Sequence, residues 1–118
     1  HIRDKDWLQG EALTNIYVGL QRDKRGEKLS ALRFIQSYAL VRLLELVEYI
    51  DIPKEVHRDP FVNERRFEQR FPNLAPLLSA WAQGYERNRE SALAILAFLE
   101  NHFEVNKAMA KEIEDLCR

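Results

Sequence analysis

A chain of 118 residues is long enough to close one hydrophobic core and too short for two, so a single domain over residues 1–118 is expected. Apolar residues make up 46% and charged residues 31%, and Thr14 is the only threonine, a composition rich in helix formers that argues against a β fold. The formal charge of −1 excludes a global field that would steer the chain to nucleic acid or an acidic membrane, so a charge-driven partner must meet a local patch.

The first helix is expected at about residues 5 to 24. Asp6 offers an N-cap with Gln9 three residues later, and Leu8, Ala12, Leu13, Ile16 and Leu20 recur at helical spacing before Gly26. The charged, glycine-containing stretch "RDKRGEK" reads as a solvated turn. A second helix follows at about 28 to 51. Its apolar row, Leu32, Ile35, Ala39, Leu43, Leu46 and Ile50, is widened by Leu40, Leu44 and Val47 to half the circumference, which predicts a central helix touching several neighbours. The opposite row, from Ser30 through Ser37, Tyr38, Arg42, Glu45 and Glu48 to Tyr49, faces either solvent or a ligand.

Asp59 as N-cap and Pro60 at the first helical position predict a third helix from about 60 to 71, ended by Pro72. Asn73 is expected to cap a fourth over about 74 to 86, with Pro76 in its tolerant first turn. Asn88 caps a fifth helix and Asn106 a sixth, the latter with Met109, Ile113 and Leu116 on its apolar side. Nothing alternates with period two and no hairpin turn is present. The expected fold is therefore all-α, an antiparallel bundle of five to six helices.

Cys117 has no internal disulfide partner, and the longest apolar run, Ala92 to Leu99, falls short of the roughly 20 residues that span a bilayer. A cytoplasmic chain with no membrane partner is expected. Because the chain begins with His1, it is expected to be a C-terminal piece of something longer.

The common catalytic signatures are missing: no phosphate-binding glycine loop, no His-Glu-x-x-His and no nucleophile elbow. His1, His57 and His102 lack second ligands at helical spacing, so no metal site is expected. Three groups of residues remain as binding candidates. Asp6, Trp7 and Glu11, on the first helix, join carboxylates to an indole face, a combination that suits a cationic small molecule. Tyr38, Arg42 and Glu45 share the polar row of the second helix, where an internal ion pair on a solvated face competes with a ligand-facing groove. The stretch "RDPFVNERRFEQRFP" places Arg58, Arg65, Arg66 and Arg70 beside three phenylalanines. Phe67 and Phe71 stand at i and i+4 and dock on the core, while the arginines either pair with acids or hold an anion or a neighbouring domain. Too little exposed aromatic and basic surface remains for nucleic acid to be an expected partner.

Two segments, "RGEKLSALRFIQSYALVRLLELVE" and "RDPFVNERRFEQRFP", together resemble the C-terminal helical domain of bacterial nucleotidyltransferases of the aminoglycoside and lincosamide adenylyltransferase type, over roughly residues 7 to 85. The resemblance implies a preceding α/β domain carrying Gly-Ser and Asp-x-Asp, which binds magnesium and a nucleoside triphosphate, and a helical domain that forms part of the acceptor cleft and often helps dimerisation. Neither motif occurs here in that form, since "DKD" at residues 4 to 6 lacks both the Gly-Ser and a preceding strand. The chain by itself is therefore expected to be non-catalytic and without cofactors. Its expected partners are the N-terminal nucleotidyltransferase domain, a small-molecule acceptor and a second copy in a homodimer. A helical interaction or dimerisation module, such as the ligand-sensing half of a transcription regulator, is the alternative. A helical nuclease would need an Arg/His pair that neither His57 nor His102 completes.

Overall fold

The computed structural model describes residues 3–118. Among them there are helices and no strands, and the buried apolar side chains form one cluster, so the all-α expectation holds.

Helix α1 (Lys5–Lys24) has the expected bounds, with its cap two residues before the expected one. Asp4, not Asp6, accepts a hydrogen bond from the Trp7 backbone N–H at 2.9 Å. Leu8, Ala12, Leu13, Ile16 and Leu20 are buried along one face. The helix stops where Gly26 takes a φ of +82°, and the Glu27 and Gly26 N–H groups return to the carbonyls of Arg22 and Asp23 at 2.9 Å each. This paired closure needs a left-handed residue, which glycine adopts without steric cost.

Helix α2 (residues 28–49) runs back along α1 and is not uniform. It opens as α-helix (Lys28–Arg33), widens to π-helix (Phe34–Ala39), returns to α-helix (Leu40–Leu46) and tightens to a 3₁₀ turn (Val47–Tyr49). A π turn holds one extra residue, and two features hold it here. Gly19 of α1 lets Ile35 approach its backbone. From the other side, the Gln36 side chain donates to the Gly84 carbonyl at 2.8 Å and accepts from the Gly84 N–H at 2.9 Å. The expected helix to residue 51 therefore ends slightly early, with a wider middle.

The largest departure lies between residues 52 and 66, which form an irregular segment in place of most of the expected third helix. Asp59 does cap the chain, accepting from the Phe61 and Val62 N–H groups at 2.9 and 3.2 Å. The turn does not propagate, because Phe61 and Val62 remain exposed and give a helix no apolar face to bury. Arg66 then adopts a φ of +61°, and only the single turn α3 (Phe67–Arg70) is helical. Phe67 and Phe71 both enter the core with ring centroids 5.2 Å apart, as their spacing predicts.

The expected helix over 74–86 is likewise shortened, to a 3₁₀ turn (Ala75–Leu77) leading into α4 (Leu78–Trp81). Trp81 anchors it, buried edge-on against Phe98 at 5.1 Å. Non-helical backbone at Ala82 and a φ of +109° at Gly84 turn the chain away before residue 86. Helix α5 (Asn88–His102) starts at the expected residue, but Asn88 is not its cap. Its amide is buried and donates to Asp23 Oδ1 and the Lys28 carbonyl at 3.2 and 3.1 Å, tying α5 to the α1–α2 turn. Helix α6 (Lys107–Leu116) has the expected cap, Asn106 accepting from the Met109 N–H at 2.9 Å, and packs on α1. None of the described helices is long and apolar enough to cross a membrane.

Candidate functional site

Glu11 and Asn15 lie one turn apart on α1 and face the polar side of α2. The widened π register puts the consecutive residues Ser37 and Tyr38 on that same side, followed by Val41 and Arg42. Phe61, Val62, Asn63 and Glu64 from the irregular segment add a third wall. Together they bound a cleft of about 480 Å³. Residues distant in sequence thus meet at one place, and three of them, Glu11, Tyr38 and Arg42, are among those picked out by residue type.

Arg42 enters this cleft already partnered. Its Nη1 donates to Glu45 Oε2 at 2.7 Å, and its guanidinium lies 5.0 Å from the centre of the Trp7 ring. Arg3 repeats the arrangement, with its Nε 3.3 Å from Glu45 Oε1 and its guanidinium 5.4 Å from the Trp7 ring. The Tyr49 hydroxyl donates to the Arg3 carbonyl and closes the cluster. Trp7 and Glu45 therefore support Arg42 from behind, and Glu45 is 8% exposed. By contrast, Glu11 and Glu64 form no ion pair among the described residues. With the Arg42 charge compensated, the uncompensated charge in the cleft is that of two carboxylates, accompanied by hydroxyls and amides. Such a lining suits a cationic, hydroxyl-bearing molecule and repels phosphate.

Asp6 does not join this site. Trp7 is the next residue, rotated about 100° around the helix, so Asp6 faces a different hollow bordered by Gln9, Glu100 and His102.

The four arginines do not converge on a common point either. Arg58 and Arg70 take the two oxygens of Glu48, with Arg58 Nη2 3.4 Å from Oε2 and Arg70 Nη2 3.6 Å from Oε1. Arg70 is 3% exposed and also lies 5.1 Å from the centre of the Phe71 ring. Arg65 Nη1 donates to Asp59 Oδ2 at 3.1 Å, and Arg66 donates to the His57 carbonyl at 3.4 Å. The Asp59 carboxyl is held below the ordinary carboxylate range, first by the Phe61 N–H and then by Arg65 and the Val62 N–H, against the opposing effect of burial.

Residue type alone missed Asn15, Asn63, Phe61 and Glu64 as members of the cleft. The i, i+4 spacing of Glu11 and Asn15 was the one local signal available for that wall. No family model, no curated protein and no solved structure matches the chain.

Proposed function

We propose that the chain is the acceptor-binding helical domain of a nucleotidyltransferase and that the Glu11–Tyr38–Glu64 cleft holds the acceptor. What supports this reading is the placement of the two segments that resemble such domains. One supplies Ser37, Tyr38, Val41 and Arg42 to the cleft, and the other supplies Phe61 to Glu64. Glu11 and Glu64 would take ammonium groups of the acceptor, while Ser37, Asn15 and Asn63 would bind its hydroxyls. The bundle's contribution is to hold an acceptor hydroxyl in line with a nucleotide on the partner domain, a proximity effect that requires no nucleophile or metal ligand from this chain. Magnesium and the nucleoside triphosphate belong to that partner domain.

The test is nucleotide transfer by the product of the complete reading frame that contains His1, supplied with magnesium, labelled nucleoside triphosphates and a panel of amino alcohols. Transfer is expected, with Glu11→Gln and Glu64→Gln each raising KM for the acceptor by roughly tenfold while kcat changes little, the signature of lost uniform binding. A frame that encodes a DNA-binding helix-turn-helix in place of a nucleotidyltransferase domain would sink this reading.

An apolar groove of about 540 Å³ between α1 and α6, bordered by Leu13, Tyr17, Ala108 and Met109, favours a second reading in which the bundle is a dimerisation module. Sedimentation of the chain decides it. A dimer that Ala108→Glu converts to monomer supports the module, and a monomer at all concentrations removes it.

A further inference from the structure

The wall of the cleft formed by residues 61–64 belongs to a segment, 52–66, that is held unlike the rest of the molecule. None of its residues is buried. Two of its large apolar side chains are almost fully in solvent, Ile52 at 87% and Phe61 at 93% exposure. Between its ends, and apart from the turn hydrogen bonds by which Glu64 and Arg66 lead into α3, it is linked to the rest of the described chain by two polar contacts. The Lys54 N–H donates to the Arg70 carbonyl at 2.8 Å, and Arg58 pairs with Glu48 at 3.4 Å. Its other side-chain contacts, among them Asp59 with Arg65, Arg66 with the His57 carbonyl and Arg58 with Asn63 Oδ1 at 3.5 Å, lie within the segment. It therefore holds its own shape while being weakly attached to the bundle.

The attachment is also incomplete. Arg58 Nε is buried and without a hydrogen-bond partner among the described residues, and an unsatisfied donor of this kind weakens the bound arrangement relative to a released one. Arg66 stands at the C-terminal end of the segment in the left-handed region, immediately before α3. Hinges commonly fall at such element-terminal positions, where a few backbone angles absorb the motion. The segment thus has a stiff body, a hinge and one ionic tether, with an exposed phenylalanine at the rim of a cleft.

We propose that residues 52–66 form a lid over the cleft, tethered in its open position by Arg58 on Glu48, and that release of this tether lets Phe61 close over the space between α1 and α2. That the closed lid covers an acceptor rests on the function proposed above; the motion itself does not. Phe61 then supplies the apolar cap that the polar cleft lacks, and closure excludes water from the cleft. Segments attached by few buried contacts open at low free-energy cost, which is the physical requirement for a lid.

The test contains no ligand, so its failure and the failure of the acceptor reading are separable. Arg58→Gln removes the tether and leaves the Glu48–Arg70 pair intact. Hydrogen exchange across residues 55–65 is expected to accelerate by roughly tenfold in this variant, with the amides of α1 and α2 unchanged as the control for folding. In a Cys117→Ser background, Glu11→Cys combined with Phe61→Cys is expected to cross-link slowly under mild oxidation, and several-fold faster when Arg58→Gln is added. Raising the salt concentration is expected to act in the same direction as Arg58→Gln, because the pair is partly exposed and screened. Unchanged exchange overturns the lid. Faster exchange without a cross-link overturns it as well, since the segment would then be loose without closing on the cleft.

Discussion

Gly19 and Ile35 meet so closely that a methyl group on Gly19 would stand 2.6 Å from Ile35 Cγ1 and 3.1 Å from Phe34 Cβ. Ile35 is completely buried and sits in the π turn of α2, so neither partner can retreat without disturbing the face that carries Ser37 and Tyr38. Gly19→Ala gains the ordinary helix preference of alanine, about 1 kcal/mol, but overpacks the crossing at a cost of about 2 kcal/mol. The expected net loss is ~1 kcal/mol, read as a fall in Tm of ~4 °C.

Gly10, on the same helix, is the control. A Cβ there meets nothing within 4 Å. Gly10→Ala is therefore expected to stabilise the chain by about 1 kcal/mol in urea unfolding, through helix propensity and a less flexible unfolded chain. If both substitutions stabilise, the close crossing at Gly19 is not a constraint.

Glu48 holds two guanidiniums, and one of them, on Arg70, is almost completely buried. Removing the carboxylate leaves a charge in the interior without its counter-ion, a defect that costs about 3 kcal/mol in comparable buried pairs. Glu48→Gln is expected to lower the urea midpoint accordingly. Adding Arg70→Met removes the stranded charge and is expected to recover much of the loss, because an apolar replacement of both partners is often neutral. A double variant no more stable than Glu48→Gln would show that Arg70 is not destabilised by the loss of Glu48.

These residues also show where the sequence was legible. The Asn106 cap and the bounds of α1 follow from signals within a few residues, and both are in place. Glu48 belongs to the row expected to face solvent or a ligand, yet its partners lie 10 and 22 positions away within the chain, and no local pattern specifies them. The helices expected over 60–71 and 74–86 carried good caps and prolines, but capping cannot sustain the first where Phe61 and Val62 find no apolar partner, and the second is cut short by the turn at Gly84 although Trp81 is buried. The π turn was hidden for the opposite reason: it depends on Gly19 and Gly84, which touch α2 only in the folded chain. In the cleft, residue chemistry picked out Glu11 in one group and Tyr38 and Arg42 in another, and only the folded chain brings the three to one hollow. Residue chemistry could not separate Asp6 from Trp7, because the choice of neighbour depends on which side of α1 the rest of the bundle occupies.

Asp59 is the capping group of the proposed lid, and its behaviour in acid follows from its partners. The Phe61 N–H, the Arg65 guanidinium and the Val62 N–H all favour its ionised form and depress its pKa in the folded chain. A depressed pKa means that the contribution of this carboxylate is complete above its unfolded value and is lost as pH falls through the lower, folded one. The turn at 59–65 should therefore stay intact at mildly acidic pH. The amide resonances of Phe61 and Val62 are expected to titrate with a midpoint below the ordinary aspartate value, and this titration should disappear in Asp59→Asn. A midpoint at or above the ordinary value would mean that these hydrogen bonds are not kept in solution.

Cys117 offers an independent check on how the C-terminus is packed. Its side chain lies against the core, and burial is the main cause that pushes its thiol up to about 11, with Arg89 nearby opposing the rise. At pH 8 a rise of this size reduces the thiolate fraction by roughly a hundredfold relative to an ordinary cysteine, since each pH unit is a factor of ten. The thiolate that does form is the more basic one, and its greater nucleophilicity restores roughly tenfold of the rate. Labelling by a small aromatic disulfide is therefore expected to run on the order of tenfold slower than for a free cysteine peptide. Unfolding in urea should bring the rate back to the peptide value. Labelling at the peptide rate in the folded chain would show that the last turn of α6 is open in solution, and that the desolvation raising this thiol is not maintained.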